Sequence, residues 1–111
     1  MSFKVEASEN FARELKRLAK KYPSLKGDVS ELLHSLSVDP MQGTALGRNC
    51  FKIRLAIKSK GKGKSGGARV ISCVIVVTET VMLLSIYDKS EIENISSQDL
   101  TALINSNTGH H

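Results

Sequence analysis

Lys52 and Arg54, two residues apart, and Arg69, beyond a segment rich in lysine and glycine, are the residues best suited to act on a phosphate. A guanidinium grips two oxygens at once, and cations at i and i+2 of an extended chain point to the same side. Between them lies KSKGKGKSGGAR, residues 58–69, with five cations, four glycines and no carboxylate. Gly63-Lys64-Ser65 has the form of the end of a Walker A loop. That motif needs a glycine five residues earlier and a helix after it. Position 58 is a lysine, and the run from Arg69 to Val77 is apolar and β-branched, which reads as a strand. The nucleotide-binding loop is therefore rejected.

The charge is localised. Lys and Arg number 16 against 11 Asp and Glu, and the 58–69 segment holds five of those cations, so the rest of the chain balances. A local excess of this kind suits a polyanionic partner engaged near one place, although lysines on a solvated hairpin tip would also keep a chain soluble. With 111 residues, 41% hydrophobic and 24% charged, the chain reads as one globular domain, residues 1–109. His110 and His111 read as a tag remnant, leaving His34 as the one native histidine. No apolar run approaches membrane-spanning length and no signal peptide is evident. Cys50 and Cys73 read as two buried free thiols, which fits a reducing cytoplasm.

Around these cations the pattern predicts seven elements. Residues 3–6 alternate as a short strand. Phe11, Leu15, Leu18, Ala19 and Tyr22 recur at helical spacing behind a Ser8 cap, until Pro23 stops the helix. Leu25, Val29, Leu32, Leu33 and Leu36 mark a second helix that ends at Asp39-Pro40, and Gly43 and Gly47 mark a loop. From Cys50 to Lys58 the chain alternates, with Phe51, Ile53, Leu55 and Ile57 on the core side and Lys52, Arg54, Ala56 and Lys58 on the other. A central strand 69–77 and a third strand 81–87 follow, the latter with Ser85 and Tyr87 on one side. Ser96 and Asp99 open a short closing helix with Ile95, Leu100, Leu103 and Ile104. The order β-α-α-β-β-β-α predicts an α+β fold, with a helical hairpin packed on one face of an antiparallel sheet. The other face of the sheet, or its rim, is left for Lys52, Arg54, Arg69, Tyr87 and Lys89, with Tyr87 expected at the rim and Arg69 expected to reach over it.

Three stretches carry a resemblance: FKIRLAIKSKGKGKSGGARVI at 51–71, LLSIYDKSEIENIS at 83–96, and, less specifically, FARELKRLAKKYPSLKGDV at 11–29. Together they resemble the RelE/ParE toxin superfamily, in particular its HigB-type mRNA interferases. The resemblance implies a RelE-like toxin that cuts mRNA on the translating ribosome without metal or cofactor, through attack of a 2′-hydroxyl on the adjacent phosphate. It implies a cognate antitoxin, ribosome and mRNA as partners, and no membrane. On this sequence the implied catalytic residues are Lys52, Arg54, Arg69, Tyr87 and Lys89, with Lys58, Lys60, Lys62 and Lys64 as phosphate-gripping residues on a mobile loop tip. Many members of the superfamily carry a histidine or tyrosine near the start of the closing helix, where this chain offers Glu91 and Glu93. The identity of the general acid is therefore open. Two rival readings are a ParE-like gyrase inhibitor that cleaves nothing and a plain RNA- or ribosome-binding module whose affinity comes from counterion release.

Overall fold

The computed structural model describes residues 2–61, 63, 66–92 and 95–108. Lys62, Lys64, Glu93 and the two final histidines lie outside the described residues.

Strand β1 (Lys4–Ala7) leads into helices α1 (Glu9–Lys21) and α2 (Leu25–Val38). Ser8 caps α1 as its pattern predicts, its hydroxyl accepting from the Phe11 amide at 3.1 Å. Ser24 does not cap α2 in this way, because its hydroxyl donates to Asp28 at 2.8 Å instead. Phe11, Leu18, Leu25, Val29, Leu32 and Leu36 are buried along the stripes read from the sequence.

The sheet continues with β2 (Thr44–Gly47), β3 (Cys50–Leu55), β4 (Ala68–Ile75) and β5 (Thr80–Asp88), in the spatial order β1-β5-β4-β3-β2. Strands β3, β4 and β5 form the expected antiparallel meander with β4 at the centre. Two features depart from the expected pattern. The segment marked as a loop by Gly43 and Gly47 contains β2, too short at four residues to show alternation. It joins β3 through Arg48 and Asn49, both at positive φ, the geometry of a two-residue hairpin turn. Strand β1 pairs with β5 in parallel. The helical hairpin carries the chain from that edge across one face to the opposite edge, where β2 begins. Two strands are also shorter than their apolar runs. β3 stops at Leu55, before a single 3₁₀ turn at Lys58–Lys60, and Val76 and Val77 fall in the β4–β5 turn, where Val77 is 94% exposed.

Ile53, Val70, Val74, Val81, Leu83 and Ile86 face the helical hairpin. On the other face, Ile71, Cys73, Leu84 and Tyr87 pack with Ile104 of helix α3 (Ser97–Thr108). The Ser96 hydroxyl accepts from the Asp99 amide at 3.1 Å, so this cap is as read. A bulge between the Ile71–Ser85 and Ser72–Leu83 pairs makes Leu84 the extra residue, so Leu84 lies on the same face as its neighbour Ser85, with Ile71, while Leu83 faces the helices.

The expectation of two free thiols is overturned. Cys50 and Cys73 stand directly opposite each other in the β3–β4 register and are joined by a disulfide. Adjacent strands bring the two thiols together, and a sequence separation of 23 gave no hint of it. Reducing this bond should lower unfolding stability by about 3–3.5 kcal/mol, from the loop it closes. Denaturant midpoints measured with and without a dithiol check this; a Cys50→Ser/Cys73→Ser variant should lie at the reduced value and not respond to reductant.

Candidate functional site

The β3–β4–β5 register sets Arg54 opposite Arg69, and Arg69 opposite Tyr87. Directly opposed residues share a face, with Cβ atoms about 5 Å apart, so the three form one row across the sheet. Lys52, Ile71 and Ser85 form the next row on the same face. Lys52, Arg54, Arg69 and Tyr87 are thus brought together as the sequence predicts. Lys89 follows directly after β5, and its amide donates to the Gly67 carbonyl at 3.1 Å, closing the end of the ladder.

The surroundings of two row members differ from expectation. Arg69 does not extend over a rim; it is 4% exposed, and Nη1 donates to the Ala68 carbonyl at 3.1 Å. A side chain on the central strand is flanked from both sides. Arg54 remains exposed because β2 pairs with β3 only as far as Lys52. Tyr87 is not a rim residue either; it is buried with Ile71, Leu84 and Ile104. Its hydroxyl has no partner in hydrogen-bond geometry among the described residues. Burial pushes its phenol above the ordinary value, partly offset by the nearby Ile95 backbone and Arg69.

The described loop lysines are engaged. Lys58 Nζ contacts Glu31 at 2.7 Å, and that bond raises the ammonium above its ordinary value. Lys60 Nζ lies 2.7 Å from Asp88 and 3.2 Å from the Ser90 hydroxyl, with its side chain only 11% exposed. Glu91, one of the two acid candidates, is paired with Arg17 at 3.1 Å and Lys21 at 3.7 Å. His34 is exposed on α2, away from the rows.

Three residues that matter here escaped the sequence reading. Asp88 is fully buried and accepts from Tyr22, Lys60 and Ser90. Its signal was a carboxylate two residues beyond Ile86, on the face turned to the helices. Asn10 and Glu14 close the edge of β5 beyond β1. Asn10 donates to the Leu84 carbonyl at 2.9 Å, and Glu14 accepts from the Ser85 hydroxyl at 2.8 Å and the Ile86 amide at 3.2 Å. Side chains that stand in for a strand leave no periodic trace.

Burial alone would raise the Asp88 carboxyl, but the donors from Lys60, Tyr22 and Ser90 outweigh it and hold the group well below the usual carboxylate range. A depressed folded value stabilises the fold above the unfolded carboxyl value of about 3.9. That stability should be lost progressively as pH falls below it. Melting temperature followed from pH 6 down to 2.5 should fall more steeply for the parent than for Asp88→Asn.

Among the described residues, no group of three or more His, Cys, Asp or Glu is placed to hold a metal, and no helix is long and apolar enough to cross a membrane. Cations aligned on one face, with no carboxylate in either row, can hold a phosphodiester and stabilise charge developing on its oxygens.

No protein-family model matches the sequence, and no curated protein matches it. In three dimensions the chain has the fold of the RelE toxins, which bears out the resemblance at the level of fold. A free RelE toxin of Escherichia coli carrying two arginine-to-alanine substitutions superimposes with a TM-score of 0.60 at 22% identity, over 84% of this chain and 90% of that one. The RelBE2 toxin–antitoxin complex of Mycobacterium tuberculosis gives 0.59 at 21%, over 79% and 92%. The substituted Escherichia coli toxin bound to a RelB antitoxin peptide gives 0.52 at 20%, over 92% and 94%.

Proposed function

We propose that this chain is the toxin of a toxin–antitoxin pair, of the HigB type, and that it cleaves mRNA on the translating ribosome. The observation that carries this reading is the cross-strand row Arg54–Arg69–Tyr87 beside Lys52 on a RelE-like fold. The reaction needs a 2′-hydroxyl deprotonated, charge on the phosphoryl oxygens stabilised, and a proton delivered to the leaving 5′-oxygen. Arg69, anchored on the central strand, is suited to the two non-bridging oxygens, and exposed Arg54 with Lys52 to the flanking phosphate and the attacking hydroxyl. Tyr87 flanks Arg69 and stays protonated, so any proton it moves is one it donates. Lys89 adds a cation at the end of the ladder, and Lys58, Lys62 and Lys64 add charge for the RNA backbone. The cognate antitoxin is the restraining partner, in line with the neighbours solved as toxin–antitoxin complexes.

Primer extension on one mRNA, with and without ribosomes, tests the reading. Cuts are expected within the coding region and only with ribosomes present. Equal cutting of naked RNA would overturn the ribosome dependence. Growth arrest with intact mRNA and inhibited supercoiling would favour the gyrase-binding alternative.

A further inference from the structure

We propose that Asp88 is a clasp that positions the phosphate-directed end of the sheet, and that Lys60 belongs to this clasp rather than to the RNA-gripping part of the loop. The catalytic half of this proposal rests on the nuclease reading above; the structural half does not.

Three separate segments converge on the Asp88 carboxylate. Tyr22, at the end of α1, donates its hydroxyl. Lys60, from the 3₁₀ turn, donates to Oδ1 at 2.7 Å. Ser90, after β5, donates both its amide at 2.9 Å and its hydroxyl at 2.7 Å. Lys21 lies 3.8 Å from the other oxygen. Lys60 and Lys21 also stand over the Tyr22 ring, at 5.4 and 5.3 Å from its centre. A fully buried carboxylate is tolerated only while its donors stay in place, so it fixes position even where it adds little net stability.

The place being fixed is the end of the candidate site. Asp88 pairs with Ala68, while its neighbour Tyr87 pairs with Arg69. Successive strand residues project to opposite faces, so holding Asp88 on the helical side turns Tyr87 to the cation side. On the other side of Asp88, the Lys89 amide is bonded to Gly67, at the foot of the loop. Releasing the carboxylate frees the turn at Ser90, the Lys60 end of the loop and the last rung of the β4–β5 ladder together. A displacement of about 1 Å there is enough to cost up to 100-fold in a reaction that depends on positioned cations.

Lys60→Met removes one donor, Lys60→Arg restores a cation, and Asp88→Asn removes the charge at constant shape. Hydrogen exchange at the Lys60, Lys89 and Ser90 amides, read alongside ribosome-dependent cleavage, tests the clasp. Lys60→Met and Asp88→Asn should exchange at least about tenfold faster at these amides. Their kcat should drop by about 10- to 100-fold with KM changed by less than about twofold, and Lys60→Arg should stay near the parent. If Lys60→Met raises KM while kcat and exchange stay at parental values, Lys60 grips RNA and the clasp is refuted. Unchanged exchange in both variants also refutes it. Should Asp88→Asn fail to fold, Lys60→Met carries the test. Should the parent cut no RNA, the nuclease reading fails on its own and exchange alone decides the clasp.

Discussion

On the nuclease reading proposed above, Arg69→Ala is expected to lower the rate of mRNA cleavage by two to three orders of magnitude, roughly what losing a preorganised charge donor costs. Arg69 lies in the middle of the row, between Arg54 and Tyr87, on the central strand. No other cation of the row is both buried and bonded to its own backbone. Because the guanidinium is enclosed, its removal also leaves space, and the melting temperature should fall modestly, by the equivalent of about 1–2 kcal/mol. Arg69→Lys should fill part of that space and recover part of the activity, since an ammonium cannot span two phosphoryl oxygens. Cleavage rate and melting temperature measured on the same preparation separate the two effects. Parental cleavage by Arg69→Ala would refute the catalytic assignment, and loss of fold in both variants would make Arg69 a structural residue.

Gly67→Ala should destabilise the chain by about 4 kcal/mol or prevent folding, well above the usual cost of a surface substitution. A Cβ at position 67 would stand 2.1 Å from the Leu55 carbonyl oxygen and 3.1 Å from Ala56 Cα and the Ile57 amide nitrogen. All three are backbone atoms at the end of β3, so no side-chain rotation relieves the clash. The same glycine accepts the Lys89 amide, so any retreat of the backbone also breaks that bond. Gly61→Ala, at the other foot of the loop, meets no atom within 4 Å and is strained only by its positive φ of 73°, for a cost of about 1 kcal/mol. Chemical denaturation of the two variants side by side checks the prediction; equal midpoints would contradict it.

The alternation in 50–55 and the apolar run after Arg69 were enough to place Lys52, Arg54 and Arg69 on neighbouring strands, and Ser85 with Tyr87 on one side of the next. Period-two patterns report which face a residue takes. They do not report what covers that face, so Arg69 and Tyr87 were expected at a rim that α3 and the neighbouring strands enclose. Strand β2 and the parallel pairing of β1 were missed because four-residue edge strands are defined by their partners. The lysine-glycine segment showed its charge but not its pairing, since Glu31 and Asp88 lie about 30 residues away along the chain. The disulfide was missed for a similar reason: it depends on register, and register is a property of two strands at once.

The closing of the β5 edge by Ser8, Asn10 and Glu14 bears on how the chain folds. These contacts join residues 71 to 76 positions apart. They form only after the chain from Ser8 to Ile86 has been gathered, whereas the β3–β4–β5 meander can assemble from its own short connections. Until α1 arrives, the Ile86 amide and Leu84 carbonyl present an open strand edge, a template for a second chain. The first helix is therefore a late-arriving guard, and weakening it at Asn10 or Glu14 should show first as aggregation during refolding.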